Sequence, residues 1–179
     1  MSWLLGEAPA QSIRTYIWGT DGTDGAMTAK LADVAARDEY EDQPIDLPDF
    51  AAVRLHAPLS KGYPEPAFPV LFIRPVGGRM ILGPGGLGRG GTSMIRYLFV
   101  VVCEDPTNPE TALLKALRYM VAVLEMLAES YHVTLRPYSW GMDNGVTFDY
   151  SPMESRESGQ YFADVRIEVS TQIREAALV

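Results

Sequence analysis

The chain has 179 residues, 47% of them hydrophobic, and carries 23 acidic against 15 basic side chains, a formal net charge of -8. That length suits one domain with a proper core, and the apolar content excludes wholesale disorder. The acidic balance argues against tight binding to a phosphate backbone, which rests on Lys and Arg displacing counterions, and no apolar run approaches the ~20 residues of a bilayer span.

The start, Met1-Ser-Trp-Leu-Leu-Gly, lacks the basic region and long apolar stretch of a signal peptide, so the expectation is a soluble protein made inside the cell. A first helix is expected over Ala8 to Ile17 and a second over Ala26 to Arg37, with Gly19 to Gly25 as a turn-forming hinge. Asp38, Glu39, Glu41, Asp42, Asp46 and Asp49 then crowd a stretch without Lys or Arg. Pro44 and Pro48 break it and no calcium-loop glycine spacing is present, so it reads as a solvated acidic loop. From Gln43 to Pro69 a proline-rich, surface-hugging connection is expected, with room for a short strand at Ala51 to Leu55. Val70 to Arg74 predicts a short apolar strand.

Gly77 to Gly91 is glycine-rich, and Gly83-Pro-Gly85-Gly86-Leu-Gly88 formally matches the dinucleotide fingerprint. That fingerprint works only where a helix follows and its amino end holds the pyrophosphate. A strand is expected next, and the lysine of a phosphate loop is missing before Thr92, so the segment reads as a long, mobile hairpin connection.

Met94 to Cys103 is apolar at nearly every position, the mark of a central strand covered on both sides, and Cys103 at its end reads as a small buried hydrophobe. A single cysteine excludes an internal disulfide framework. Asn108-Pro-Glu110 is a helix start signal, because Asn accepts from first-turn amides, Pro fits the first helical position and Glu favours the positive end. The helix predicted to Glu129 has an apolar stripe at Leu113, Ala116, Leu117, Met120, Leu124 and Leu127, widened by Leu114, Val121 and Val123. Its solvated or subunit-facing stripe is Thr111, Lys115, Arg118, Ala122, Glu125 and Glu129.

Beyond it, Tyr131 to Tyr138 predicts a strand, Asp143-Asn144-Gly145 a hairpin turn, and Val146 to Tyr150 the returning strand. Ser151 to Gly159 reads as a polar connection. In the last strand Tyr161, Ala163, Val165, Ile167, Val169 and Thr171 alternate with polar positions, which predicts an antiparallel strand with one wet face. The sum is a single α+β domain over residues 1–179. It is a mainly antiparallel sheet with the long amphipathic helix, and one or two N-terminal helices, packed on one face.

Chemistry is sparse. His56 and His132 are the two imidazoles, far apart in sequence, and no metalloprotease, Cys/His-cluster or nucleophile-elbow spacing occurs. Glu154 and Glu157 read as solvated loop charge. The expectation is a protein that is not an enzyme, with no catalytic residue, cofactor or metal. Trp3, Trp18 and Trp140 suit either a half-buried shell or contacts between chains, with Trp140 beside the expected turn.

With these elements placed, the second half resembles the tail terminator, or tail completion, proteins of long-tailed bacteriophages and related prophages. The resemblance rests on Arg96-Tyr-Leu-Phe-Val-Val-Val102, the helix Asn108 to Glu129, Val146-Thr-Phe-Asp-Tyr-Ser-Pro152, and Gly159-Gln-Tyr-Phe-Ala-Asp-Val-Arg-Ile-Glu-Val169, continuing to Thr171-Gln-Ile-Arg-Glu175. It implies a structural virion protein, a homo-oligomer forming a hexameric ring that caps the tail tube, stops its polymerisation and joins the head connector. Its partners would be the tail tube protein and the head-tail connector protein. DNA would pass through the lumen without specific binding, and the protein would reside in the virion tail or neck and, during assembly, in the host cytoplasm. On this reading Asp38, Glu39, Glu41, Asp42, Gly85, Gly86, Arg89 and Trp140 are candidate oligomer or tube contacts. The long N-terminal region and glycine-rich insertion depart from a minimal member and leave a head-tail connector component as an alternative. A cellular ligand-binding domain or enzyme using the glycine-rich loop is a further one.

Overall fold

The computed structural model describes residues 7–19, 25–37, 40–55, 67–82, 91–106, 108–129, 138–150, 154–155 and 161–175. The elements are α1 (Glu7–Trp18), α2 (Met27–Ala35), β1 (Ala52–Arg54), β2 (Val70–Leu82), β3 (Gly91–Asp105), α3 (Pro109–Glu129), β4 (Tyr138–Tyr150), β5 (Glu154–Ser155) and β6 (Tyr161–Glu175). One six-stranded sheet runs β1-β2-β3-β6-β4, with β5 also paired to β6. Short β1 lies parallel to β2 and every other pairing is antiparallel, so the fold is α+β with a mainly antiparallel sheet.

Alternation along the strands decides where the helices go. Leu71 and Ile73 of β2, Tyr97, Phe99 and Val101 of β3, and Val165, Ile167 and Val169 of β6 are buried in one core with Ile13, Ile17, Leu31 and Val34 of the first two helices. Val100 and Val102 project to the opposite face, where they are buried with Ala52, Val70 and Phe72 in a smaller cluster. β3 is therefore a central strand covered on both sides, as its unbroken apolar run requires. Arg96 and Glu168 pair at 3.0 Å, a diagonal contact between β3 and β6.

Helix α3 starts where its signals put it: Asn108 Oδ1 accepts from Glu110 N at 2.9 Å and Thr111 N at 3.4 Å. Its buried stripe is rotated from the predicted one. Ala112, Ala116, Tyr119, Met120, Val123, Met126 and Leu127 are buried, whereas Leu113, Leu117, Val121 and Leu124 are only partly so. Arg118 and Ala122, expected on the exposed stripe, are buried as well. The helix has two covers, the sheet on one side and α2 with the segment 40–50 on another, so a single amphipathic stripe does not describe it.

Two further expectations are corrected. The Asn144-Gly145 pair makes no hairpin: β4 is one strand, paired to β6 on both sides of these residues. Met142 lies opposite Thr171 and Val146 opposite Val169, so Asp143 to Gly145 face one residue and form a bulge. Only Tyr138 of the predicted strand Tyr131 to Tyr138 lies within the described residues. The glycine-rich loop also begins later than expected. β2 runs on through Gly77 and Gly78 to Leu82, with a register shift between Pro75 and Gly77, and Leu82 pairs with Gly91. A strand does follow the glycines.

Gly25 holds the first two helices together. Ala26 N donates to Tyr16 O at 3.0 Å, turning the chain back on α1, and a Cβ at Gly25 would lie 2.2 Å from Ile17 O. Both partners are backbone, so Gly25→Ala forces the helix pair apart. It should cost about 1–3 kcal/mol in urea unfolding, and an unchanged midpoint would show that the junction yields freely.

Candidate interaction surface

Segment 40–50 is a strap across α3 rather than a loose loop. Leu47 and Phe50 are buried, and the Phe50 ring lies 5.0 Å from that of Tyr119. The Tyr119 hydroxyl donates to Pro48 O, and Arg118 Nη2 donates to Gln43 O at 2.8 Å. Around these anchors Glu41, Asp42, Asp46 and Asp49 are exposed. Apolar anchors thus hold a row of carboxylates outward. Glu41 and Asp42, two of the candidate contacts, stand in this row; Asp38 and Glu39 lie outside the described residues.

Beside the strap, α2 is clamped to α3 by charge. Arg37 takes both Glu125 oxygens, Nη1 to Oε1 at 2.8 Å and Nη2 to Oε2 at 2.5 Å, and Asp33 adds a contact at 3.3 Å. Lys30 Nζ reaches Glu129 at 2.6 Å. The hydrogen bond from Arg37 holds the Glu125 carboxyl below its ordinary value. Partial burial opposes that shift, and the charges of Arg37 and Lys30 reinforce it. These exposed pairs fix the angle of α2 more than they stabilise it.

The second candidate surface is one end of the sheet. The carboxyl ends of β2 and β6 and the amino ends of β3 and β4 meet there, since Leu82 pairs with Gly91, Thr92 with Arg174, and Tyr138 with Glu175. Among the β3 residues whose burial is described, Met94 to Asp105, Ile95 is the first that is buried. A 15-residue strand extends about 50 Å at ~3.3 Å per residue. The 21-residue α3 covers about 31 Å. The strands are therefore longer than the helix, and the far end of the sheet is a four-stranded arm. Gly77, Gly78 and Arg79 are exposed on it. β1 covers only Val70 to Phe72 of β2, so among the described strands the β2 edge from Ile73 to Leu82 has no partner.

Trp140 lies in this arm, paired with Ile173 on edge strand β4 and not beside a hairpin turn. Gly85, Gly86 and Arg89 lie outside the described residues, in the segment joining Leu82 to Gly91. The strap and the arm are separate features, one on the helical layer and one in the sheet.

A cleft of about 350 Å³ opens near the start of α3, lined among others by Cys103, Glu104, Lys115, Tyr119 and Phe68. Lys115 reaches Asp105 at 3.4 Å, and Asp105 also accepts from Asn108 N at 2.8 Å, so the charges here brace the helix entry. Burial pushes the Cys103 thiol well above its ordinary range, with Lys115 opposing weakly. A thiol kept protonated is a packing group, as its place in an apolar strand implied. Sequence reading missed Tyr119, Phe50 and Leu47 as a unit. Their signal was the apolar residues set at intervals within the acidic run.

No protein-family model matches the chain, and neither does any curated protein. Among the described residues no helix is long and apolar enough to cross a membrane, and no group of three His, Cys, Asp or Glu could hold a metal ion.

A carboxylate whose pKa is lowered by folding stabilises above its unfolded value and loses that contribution as pH falls through the folded one. The Glu125 contribution should therefore be present above the ordinary carboxyl value of about 4.5 and decline progressively as pH falls below it towards the lowered folded value. In acid titrations of unfolding free energy, Glu125→Gln should flatten this decline; an equally steep fall in the variant would place the effect elsewhere.

Proposed function

We propose that the chain is the subunit of a bacteriophage tail terminator. In this reading it forms a ring that caps the tail tube, stops its polymerisation and offers the joint to the head connector. The observation that carries this reading is the four-stranded sheet arm, whose β2 edge has no partner strand among the described residues. A ring of identical subunits needs a surface that meets a different surface on the next copy. An open strand edge supplies backbone donors and acceptors for such a contact. The α+β layout, with α3 laid across a sheet of long antiparallel strands, agrees with the resemblance of the second half to that family.

The acidic strap suits the same role. Carboxylates held outward at Glu41, Asp42, Asp46 and Asp49, on a chain of net charge -8, would not retain a passing polyanion. In this reading the strap faces the lumen or the tube, and the protein resides in the virion after assembly in the host cytoplasm.

Light scattering and negative-stain microscopy of the purified chain should give a discrete hexameric ring, alone or on added tail tubes. A protein that stays monomeric and leaves tube length unchanged overturns the reading, and a ring that binds a head connector but not tubes favours the neck component instead. Because Leu82 pairs directly with Gly91, residues 83–90 can be replaced by a two-residue Asn-Gly turn without breaking the hairpin. That variant should keep its circular dichroism and thermal midpoint yet fail to form rings or join tails. Normal assembly would remove the loop from the contact.

A further inference from the structure

The flank of α3 beneath the strap holds a cation that has no carboxylate partner among the described residues. Arg118 is 4% exposed. Its Nη2 donates to Gln43 O, and the Tyr40 ring covers the guanidinium with its centroid 4.1 Å from Cζ. Nε and Nη1 are buried and find no acceptor among the described residues. Nearby Lys30, Arg37 and Lys115 each have a carboxylate. Buried donors are almost always satisfied, and a desolvated charge without a counter-ion is the costlier case.

The same guanidinium lines a cleft of about 360 Å³, walled by Leu114, Leu117 and Val121 and rimmed by Tyr40 and Asp42. That volume falls in the lower part of the range for small-ligand sites, which combine apolar walls with few polar groups. The three aliphatic residues are partly exposed and await a cover. Charge complementarity calls for an anion at Arg118. Asp42 at the rim and the acidic surface around it disfavour a dianion such as phosphate, so the anion carries one charge.

We propose that this cleft binds a small aliphatic monocarboxylate. The carboxylate accepts from free N–H groups of Arg118, the hydrocarbon lies on Leu114, Leu117 and Val121, and the Tyr40 ring swings aside to admit it. The site is independent of ring formation.

The test titrates the full chain with hexanoate, following arginine Nε–Hε signals by NMR and heat by calorimetry, with hexan-1-ol and inorganic phosphate as comparisons. Saturable binding at one site is expected, with a shift of the Arg118 signal. Hexanol should bind about tenfold weaker or worse, the loss that a missing charge-assisted hydrogen bond implies. Arg118→Met keeps the aliphatic stem and removes the desolvated charge, so it should hold or raise the thermal midpoint while losing hexanoate binding. The proposal is overturned if hexanol matches hexanoate on the wild-type chain, if phosphate binds more tightly, if Arg118→Met still binds, or if no hexanoate binding saturates.

Discussion

Strand β3 has no free side. Its backbone pairs with β2 along one edge and with β6 along the other, and around Val100 to Val102 its side chains are buried on both faces. A slip of one residue would exchange the helix-side set Tyr97, Phe99 and Val101 for Leu98, Val100 and Val102, and would break two registers at once. Tyr97 and Phe99 are among the largest fully buried side chains, so the helical layer is cut to fit this register and no other. Everything that positions a surface follows from it: α3 leaves β3 through the Asp105 to Asn108 turn, and β6 returns along the opposite edge.

The helical layer adds a second constraint through Tyr119. Its ring packs on Phe50 and its hydroxyl reaches Pro48 O, so one side chain of α3 fixes where the strap crosses. With that crossing fixed, the carboxylates of the segment must point to solvent, since burying a carboxylate without a partner costs more than any packing gain there. The row of charges is a consequence of apolar anchoring. An acidic loop without Leu47 and Phe50 would present the same charges in no fixed arrangement.

Features written in local signals were legible in the sequence: the alternation of β6, the unbroken apolar run of β3 and the Asn108 cap of α3. The rotation of α3 was not legible, because apolar residues stand on nearly every face and only the arriving cover decides which are buried. Arg118 shows this most plainly. Its partner carbonyl at Gln43 is 75 positions away in the chain, and nothing near Arg118 announces it. Asn144-Gly145 misled for the converse reason, since a strong local turn signal was absorbed as a bulge once β6 offered a partner on both sides of it. Of the candidate contacts, the exposure of Glu41 and Asp42 followed from charge alone, whereas the strand setting of Trp140 depended on that bulge.

The β2 edge, without a partner from Ile73 to Leu82 among the described strands, sets a problem that the sequence answers on the same strand. A long unpaired edge invites indiscriminate pairing with other chains. Here Pro75 lacks an amide hydrogen, the register shift between Pro75 and Gly77 breaks the regular ladder, and exposed Arg74 and Arg79 place like charges on the strand. A Cβ at Gly78 would lie 2.5 Å from Met94 O, so the backbone of the hairpin is drawn in too closely there for any other residue. These features make a regular strand a poor match for this edge.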